Sequence, residues 1–124
     1  MDKRSILVVD DELLIRDLLY DFFTGQGWDI AVAEDGERAL EILRGKDFDL
    51  VLSDIKMPEM DGLALSGRVK QDHPELPVVL MTGYPSVESA VDALRKKVDD
   101  YVIKPFNINQ LYKLIESKVS ETRE

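Results

Sequence analysis

The chain has 124 residues, 44% of them hydrophobic, and its 16 basic and 25 acidic residues give a formal net charge of −9. This size and apolar content predict one domain over residues 1–124, and the acidic charge argues against direct binding to nucleic acid or to anionic membranes. Because the chain has no cysteine, no signal-peptide pattern and no apolar run of about 20 residues, we exclude disulfides, thiolate metal sites and a membrane span, and expect a cytoplasmic location.

The chain begins with a predicted strand and an amphipathic helix. Residues 6–9 form a continuous apolar run that ends in Asp10 and Asp11, which is typical of a strand buried on both faces of a parallel sheet. From Glu12 the apolar residues recur three and four positions apart as far as Phe23, and glycines follow. This change of period predicts a helix that ends at glycine.

The alternation of strand and helix then repeats along the chain. We predict strands over 29–33, 49–53, 77–81 and 100–103, and helices over 36–43, 63–71, 86–98 and 108–119. The helix over 86–98 has a narrower apolar stripe than the first helix, so we expect it to be held less tightly.

Strands that alternate with helices predict a parallel sheet, because each chain connection must be long and right-handed to begin the next parallel strand. Two arrangements compete, the flavodoxin-like order 2-1-3-4-5 and half of a Rossmann-like fold. Five strand and helix units in one small domain favour the first. We therefore predict a single flavodoxin-like (βα)5 domain of the α/β class, with a five-stranded parallel sheet and helices on both faces.

Polar side chains stand at the ends of four predicted strands. Asp10 and Asp11 follow the first strand, Asp54 the third, Thr82 the fourth and Lys104 the fifth. In such sheets, ligands bind beyond the carboxyl ends of the strands, where the strand order reverses between strands one and three. We therefore expect these side chains to face one shallow site.

Carboxylates gathered in one site repel one another, by roughly 4 kcal/mol for two charges about 4 Å apart at an effective dielectric constant near 20. A cation must offset this repulsion, and Lys104 can offset part of it. A cluster of oxygen ligands suits a hard cation, and an open site that keeps water molecules favours Mg²⁺ over Ca²⁺, with Mn²⁺ as a second possibility.

Taken singly, these residues have ordinary structural explanations. Asp11 is a candidate N-cap of the first helix, and Asp54 is a candidate turn residue. Their joint placement is what favours a site. A carboxylate beside a divalent cation and an ammonium group is a plausible nucleophile towards a phosphoryl group, which would give an aspartyl phosphate at Asp54. Lys104 and the Thr82 hydroxyl would then contact the phosphoryl oxygens.

The sequence resembles the receiver domains of bacterial two-component response regulators over nearly its whole length. Four segments carry the resemblance in the order and at the spacing of that family: Val8-Val9-Asp10-Asp11-Glu12, residues 49–58 with Asp61-Gly62, Met81-Thr82-Gly83, and residues 100–106.

The resemblance implies a role for each matching residue. Asp54 would be phosphorylated, and Mg²⁺ would contact Asp11, Asp54 and the backbone carbonyl of Lys56, with Asp10 close by. Lys104 would contact the phosphoryl group, with a cis bond to Pro105.

The resemblance also implies a conformational switch. Thr82 and Tyr101 would form the switch pair, whose movement alters the surface made by the helix over 86–98, the strand over 100–103 and the final helix. Lys56 and Tyr84 occupy positions that tune how fast the phosphoryl group is lost, and we expect Tyr84 to hinder the attacking water. Lys97-Val98 stands where the family often has Gly-Ala, so the exit of the helix over 86–98 is expected to differ.

The function implied is a phosphorylation-dependent signalling switch that catalyses its own phosphotransfer and dephosphorylation, not an enzyme with an external substrate. The expected donor is a sensor histidine kinase or a phosphotransfer protein, or else acetyl phosphate. An output partner or effector domain and a phosphorylation-dependent homodimer are further expectations. His73, the only histidine, lies apart from the acidic residues in the predicted sheet and is not expected to be the phosphoacceptor.

Three other functions compete with this one. A flavin-binding electron carrier would need a phosphate loop after the first strand, where Asp10-Asp11-Glu12 would repel a phosphate. A phosphatase of the haloacid dehalogenase type would place a second aspartate two residues after the first and usually adds a cap domain. A phosphorylation-independent receiver that only binds proteins would not need the full set of aspartates, threonine and lysine.

Overall fold

Strands and helices alternate as predicted in the part of the chain that the structure describes, with the stretch between residues 83 and 98 left aside. The computed structural model describes residues 3–83 and 98–123, and the helix predicted over 86–98 lies outside them except for its last residue. The strands are β1 Ser5–Val9, β2 Asp29–Ala33, β3 Leu50–Asp54, β4 Val78–Thr82 and β5 Asp100–Ile103. The helices are α1 Leu13–Gly25, α2 Gly36–Gly45, α3 Gly62–Asp72 and α4 Ile108–Arg123. Within the described ranges, no helix is both long and apolar enough to cross a bilayer.

The five strands form one parallel sheet of order β2-β1-β3-β4-β5, which confirms the predicted flavodoxin-like arrangement. β1 pairs with β2 on one side and with β3 on the other, so the strand order reverses between them. In this register Val9 lies opposite Ser53. The residues that follow them, Asp10 and Asp54, therefore reach the same edge of the sheet side by side.

Alternate residues of the strands point to opposite faces, and each face has its own apolar core. On one face, α2 and α3 contribute the buried side chains of Ala39, Leu40, Leu43, Leu63, Leu65 and Val69. On the other face, α1 and α4 contribute those of Leu19, Phe23, Leu111, Ile115 and Val119. Because β1, β3 and β4 are covered on both sides, their residues are almost all apolar, and the polar residues are displaced to the strand ends.

An aromatic cluster joins α4 to α1. The ring of Trp28 packs edge-on against Phe23 and Tyr112, with centroids 5.2 Å and 6.0 Å apart. The Trp28 indole Nε1–H donates a hydrogen bond of 3.0 Å to the Tyr112 hydroxyl, which satisfies the polar atom of a buried ring. This contact holds the last helix against the first one across the β2 side of the sheet.

The loop after β3 turns back closely on Asp54. The Gly62 N–H donates to the Ile55 carbonyl over 2.7 Å, and a Cβ at Gly62 would lie 2.2 Å from the Asp54 carbonyl oxygen. Only glycine fits so close an approach of two backbones. The Asp61 carboxylate accepts a hydrogen bond from the Ala64 N–H at the start of α3. The main chain of Asp54 is thus held from the side of α3.

Candidate functional site

Three charged groups from distant parts of the sequence meet at the carboxyl edge of the sheet. The Lys104 ammonium lies 2.9 Å from Oδ2 of Asp10 and 3.4 Å from Oδ2 of Asp54. Asp10 is fully buried, Asp54 is 5% exposed and the Lys104 side chain is 14% exposed. The sequence places these residues at strand ends, and the structure brings them together at the point where the strand order reverses.

The main chain around Asp10 is held from three directions. Its N–H donates to the Ala33 carbonyl over 3.0 Å. The Arg16 guanidinium donates to its carbonyl over 2.7 Å, and its carboxylate Oδ1 accepts from the Glu12 N–H over 2.9 Å. The turn that follows β1 is therefore built around the Asp10 side chain.

This turn places Glu12, and not Asp11, beside the other two carboxylates. One oxygen from each of Asp10, Glu12 and Asp54 lies within 4.8 Å of the others. Asp11 is exposed and lines the same cavity from outside that cluster. The N-cap residue of α1 is Glu12, without a side-chain capping bond, so the interpretation of Asp11 as an N-cap is wrong. The acidic run Asp10-Asp11-Glu12 indicated that the cluster has a third carboxylate besides Asp10 and Asp54, but it did not indicate which residue supplies it.

These groups open into a cavity of about 740 Å³. Its polar side is formed by five charged residues, namely Asp11, Glu12, Asp54, Lys56 and Lys104. Its apolar side is formed by four residues of α1 and the segment after β5, namely Ile15, Leu18, Pro105 and Phe106. A cavity with carboxylates and an ammonium at one end and an apolar wall at the other can receive an anionic group and hold an uncharged portion of a larger molecule.

The other residues singled out in the sequence take distinct positions. Thr82 is buried at the end of β4, and its carbonyl accepts from the Lys104 N–H over 2.8 Å. The peptide bond between Lys104 and Pro105 is cis. Tyr101 packs against the α2 and α3 side of the core, and among the described residues its buried hydroxyl has no hydrogen-bond partner. Tyr84 lies outside the described residues.

Burial and charge shift the pKa values of the two central groups. Burial, followed by the negative charge of Asp10, raises the pKa of Asp54 above its usual 3.8, although Lys104 and a hydrogen bond from the Lys56 backbone oppose this. Burial alone would lower the pKa of Lys104. The hydrogen bond and charge of Asp10, with the charges of Asp54 and Glu12, outweigh it and raise that pKa. The positive charge and hydrogen bonds near Asp54 therefore do not fully offset the effect of burial and of Asp10 on its ionised carboxylate.

A stability measurement tests this electrostatic account. Because the folded state raises the pKa of Asp54, it binds more protons than the unfolded state as the pH approaches 3.8 from above, so Asp54 destabilises the fold most at neutral pH. We expect Asp54→Asn, without divalent cations, to raise the free energy of unfolding at neutral pH by about 1 kcal/mol. The gain should shrink as the pH falls towards 3.8. Urea unfolding over this range measures both effects.

The control for this measurement is Asp72→Asn, which removes an exposed carboxylate from the opposite edge of the sheet. It should leave the free energy of unfolding unchanged within about 0.5 kcal/mol. A stability gain for Asp54→Asn that is the same at every pH, or a loss at neutral pH, would contradict the account.

The donor set of the site fits a hard divalent cation. The carboxylates of Asp10, Glu12 and Asp54 offer only oxygen ligands, and no thiol or imidazole lies among them. Hard cations such as Mg²⁺ prefer oxygen ligands. The raised pKa of Asp54 indicates that further positive charge would be favourable there.

A second cavity of about 410 Å³ lies at the opposite, amino edge of the sheet. His73, Glu75 and Phe48 are among its lining residues. His73, the only histidine of the chain, therefore lies at the edge of the sheet opposite to Asp54.

The doubly wound sheet with an acidic pocket at its topological switch point defines a CheY-like α/β class of domain. A model of the response regulator receiver domain matches residues 6–116, and the chain belongs to that family. Receiver domains are signalling domains, so the flavin-carrier and phosphatase alternatives no longer apply.

Relatives and solved structures agree with this family. The chain is 42% identical to the transcriptional regulatory protein ZraR of Escherichia coli over 98% of its length, and 41% identical to the DNA-binding transcriptional regulator NtrC of Escherichia coli over 100%. It spans 27% and 26% of those proteins. A CheY-like receiver domain protein from Methanospirillum hungatei superposes with a TM-score of 0.95 at 30% identity, over 98% of each chain. The response regulator TrrA from Thermotoga maritima, solved in complex with Mg²⁺-BeF, has a TM-score of 0.84 at 35% identity, over 93% of this chain and 98% of that one.

Proposed function

We propose that this receiver domain is a phosphorylation-operated switch in which Asp54 accepts a phosphoryl group in a magnesium-dependent reaction. One observation carries the proposal: the Asp54 carboxylate stands at the switch point of the sheet, 3.4 Å from the Lys104 ammonium and beside the buried carboxylate of Asp10. TrrA, a relative by structure, is solved with Mg²⁺-BeF, which supports the same chemistry here.

The residues of the chain supply position and charge. An oxygen of the Asp54 carboxylate attacks the phosphorus of the donor, the bond from phosphorus to the leaving group breaks, and its electron pair departs with that group. Lys104, already within reach of Asp54, offsets charge on the transferred oxygens, and the Thr82 hydroxyl donates to one of them. A bound Mg²⁺, held by Asp11, Asp54 and the Lys56 carbonyl with Asp10 close by, would supply the remaining positive charge. The product is an aspartyl phosphate.

The ligand set of the cation is itself part of the proposal. The Asp10 carboxylate already contacts the Lys104 ammonium and accepts a hydrogen bond from the Glu12 N–H, so it suits an indirect role in cation binding and not that of a direct ligand. Asp11 and Glu12 are both exposed enough to turn towards an ion, and family resemblance favours Asp11. Mn²⁺ is a substitute with the same preference for oxygen.

The switch would act through residues next to the site. Thr82 is the last residue of β4 and lies next to the site. Tyr101 has a buried hydroxyl without a hydrogen-bond partner among the described residues, and a small movement of the ring could give that hydroxyl a partner. We propose that phosphorylation shifts these two residues and alters the surface of β5 and α4 together with the predicted helix over 86–98. Lys56 lines the cavity and, with Tyr84, would tune the lifetime of the phosphorylated state.

The partners follow from the relatives. Because ZraR and NtrC are transcriptional regulators and the chain matches about a quarter of each, we propose that this domain regulates an attached or separate output, by homodimer formation or by contact with a partner. The phosphoryl donor would be the phosphohistidine of a sensor kinase or a phosphotransfer protein. We also propose that the domain acts in the cytoplasm, without direct contact with nucleic acid.

Intact mass spectrometry tests the proposed reaction. On incubation with acetyl phosphate and Mg²⁺, the purified domain should gain the mass of one phosphoryl group, and chelation of the cation by EDTA should prevent the gain. The same gain should follow incubation with a phosphorylated histidine kinase. An unchanged mass with both donors would leave only a phosphorylation-independent binding module as the function.

A further inference from the structure

One carboxylate at the site, Glu12, takes no part in the bond-making and bond-breaking steps described above, and Asp11 is preferred to it as a ligand of the cation. Glu12 stands on the wall of the cavity that contains Asp54, and its Oε1 lies 3.4 Å from the Lys104 ammonium. Its backbone is held by the Asp10 carboxylate and by the hydrogen bond from the Arg16 N–H to its carbonyl. Its side chain, in contrast, is 61% exposed. The backbone of Glu12 therefore holds its carboxylate at the wall of the cavity, where it is accessible to a molecule that enters from solvent.

Lys104 does not fully neutralise the negative charge of Glu12. The ammonium already has a shorter contact, 2.9 Å, with the fully buried Asp10, and Asp54 lies as close to it as Glu12 does. Three carboxylates thus share one ammonium group. The most exposed of the three leaves its negative charge directed towards the path by which a phosphoryl donor approaches.

We propose that Glu12 is a specificity-determining residue that favours phosphoryl donors with a nitrogen leaving group over donors whose leaving group is an anion. The inference rests on the proposed function of Asp54 as the phosphoacceptor. Glu12 acts by its charge at the mouth of the cavity and touches neither phosphorus nor the attacking oxygen.

The two classes of donor differ in the charge that passes Glu12. In an acyl phosphate, the phosphorus–oxygen bond breaks and the electron pair leaves on a carboxylate, which the Glu12 carboxylate repels. In a phosphoramidate, the nitrogen already carries the proton it needs, and the electron pair of the phosphorus–nitrogen bond leaves on a neutral amine. Before transfer, that protonated nitrogen is a cationic donor of hydrogen bonds, which a carboxylate attracts. Both reactions form the same bond to Asp54 and need no further reactant.

The experiment compares the rates of Asp54 phosphorylation by acetyl phosphate and by phosphoramidate, at saturating Mg²⁺, in wild type and in Glu12→Gln. We expect the substitution to raise the rate with acetyl phosphate about three- to tenfold, and to leave unchanged or lower the rate with phosphoramidate. The ratio of the two rates should therefore change, and added salt should reduce the difference between the variants. A simple loss of structure would lower both rates together.

Two further variants complete the test. Glu75→Gln removes one charge at the amino edge of the sheet and should leave the ratio at the wild-type value, whereas Glu12→Asp keeps the charge and should keep most of the preference. An unchanged ratio in Glu12→Gln overturns the inference, and so does an equal change in Glu75→Gln. Wild type that accepts a phosphoryl group from neither donor would instead refute the proposed function itself.

Discussion

Asp54→Asn should lose phosphoryl uptake from acetyl phosphate almost entirely, with a fall in rate of roughly a thousandfold or more. The amide keeps the size of the side chain but cannot act as a nucleophile, and no other group in the described structure combines its position with a neighbouring ammonium. Asp10 is the closest substitute, but it is fully buried and bonded to Lys104 and to the Glu12 N–H. The measurement is phosphoryl incorporation over time, by intact mass, with Mg²⁺ present.

Asp72→Asn is the matched control for this variant, because it makes the same chemical change at an exposed position at the end of α3. It should take up the phosphoryl group at the wild-type rate. If Asp54→Asn still gained one phosphoryl group at a comparable rate, another residue would be the acceptor and the proposed mechanism would be wrong.

Lys104→Met should lower the rate of phosphoryl transfer by about a hundredfold, because it removes the ammonium that lies 3.4 Å from Asp54. The nucleophile remains, but the charge that develops on the transferred oxygens loses a partner. The fold should also become less stable in the absence of divalent cations, by about 3 kcal/mol, since three carboxylates are left together without a compensating charge. Added Mg²⁺ should restore much of this stability but not the rate.

A second buried lysine offers a close control for that variant. Lys70 is 16% exposed and lies 2.7 Å from Asp99, so it resembles Lys104 in burial and pairing, but it joins α3 to the amino end of β4. Lys70→Met should destabilise the fold and leave the rate of transfer in the folded protein unchanged within about twofold. Equal losses of rate in the two lysine variants would show that stability, and not the ammonium at the site, accounts for the effect.

The sequence was informative about the fold because the buried strands and amphipathic helices have different periods. The apolar run at residues 6–9 and the helical spacing that follows it predicted β1 and α1 within a residue, and the alternation of such units predicted the observed sheet order. Helix ends were less well predicted. The apolar stripe of α4 stops at Val119, yet the helix continues to Arg123, because polar residues extend a helix without leaving a periodic signal.

The composition of the site was predictable for a topological reason, and its detail was not. The proximity of Asp10, Asp54 and Lys104 could be predicted from the sequence, because parallel strands end at one edge of the sheet. Glu12 could not, because its position depends on the turn after β1, where Asp10 bonds the Glu12 N–H and Arg16 bonds the Asp10 carbonyl. Such a turn arises from side-chain contacts with no regular spacing. The same contacts leave Asp11 exposed outside the carboxylate cluster.

The distribution of charge follows from the same architecture. Burying Asp10 and Asp54 at strand ends requires Lys104 as a partner, and burial raises the pKa of Asp54 despite that ammonium. Further positive charge beside these carboxylates would be favourable, which agrees with the proposed cation. We infer that the proposed cation would both offset the repulsion among the carboxylates and offset charge on the transferred phosphoryl group.

Identification of the modified residue distinguishes Asp54 from every other possible phosphoacceptor. The domain would be phosphorylated with acetyl phosphate and Mg²⁺, reduced with borohydride, which converts an aspartyl phosphate into homoserine, and mapped by tandem mass spectrometry of its peptides. We expect homoserine at position 54 and at no other position that is an aspartate in the sequence. Homoserine at Asp10 or Asp11, or a phosphate that survives reduction on Ser53 or Thr82, would contradict it.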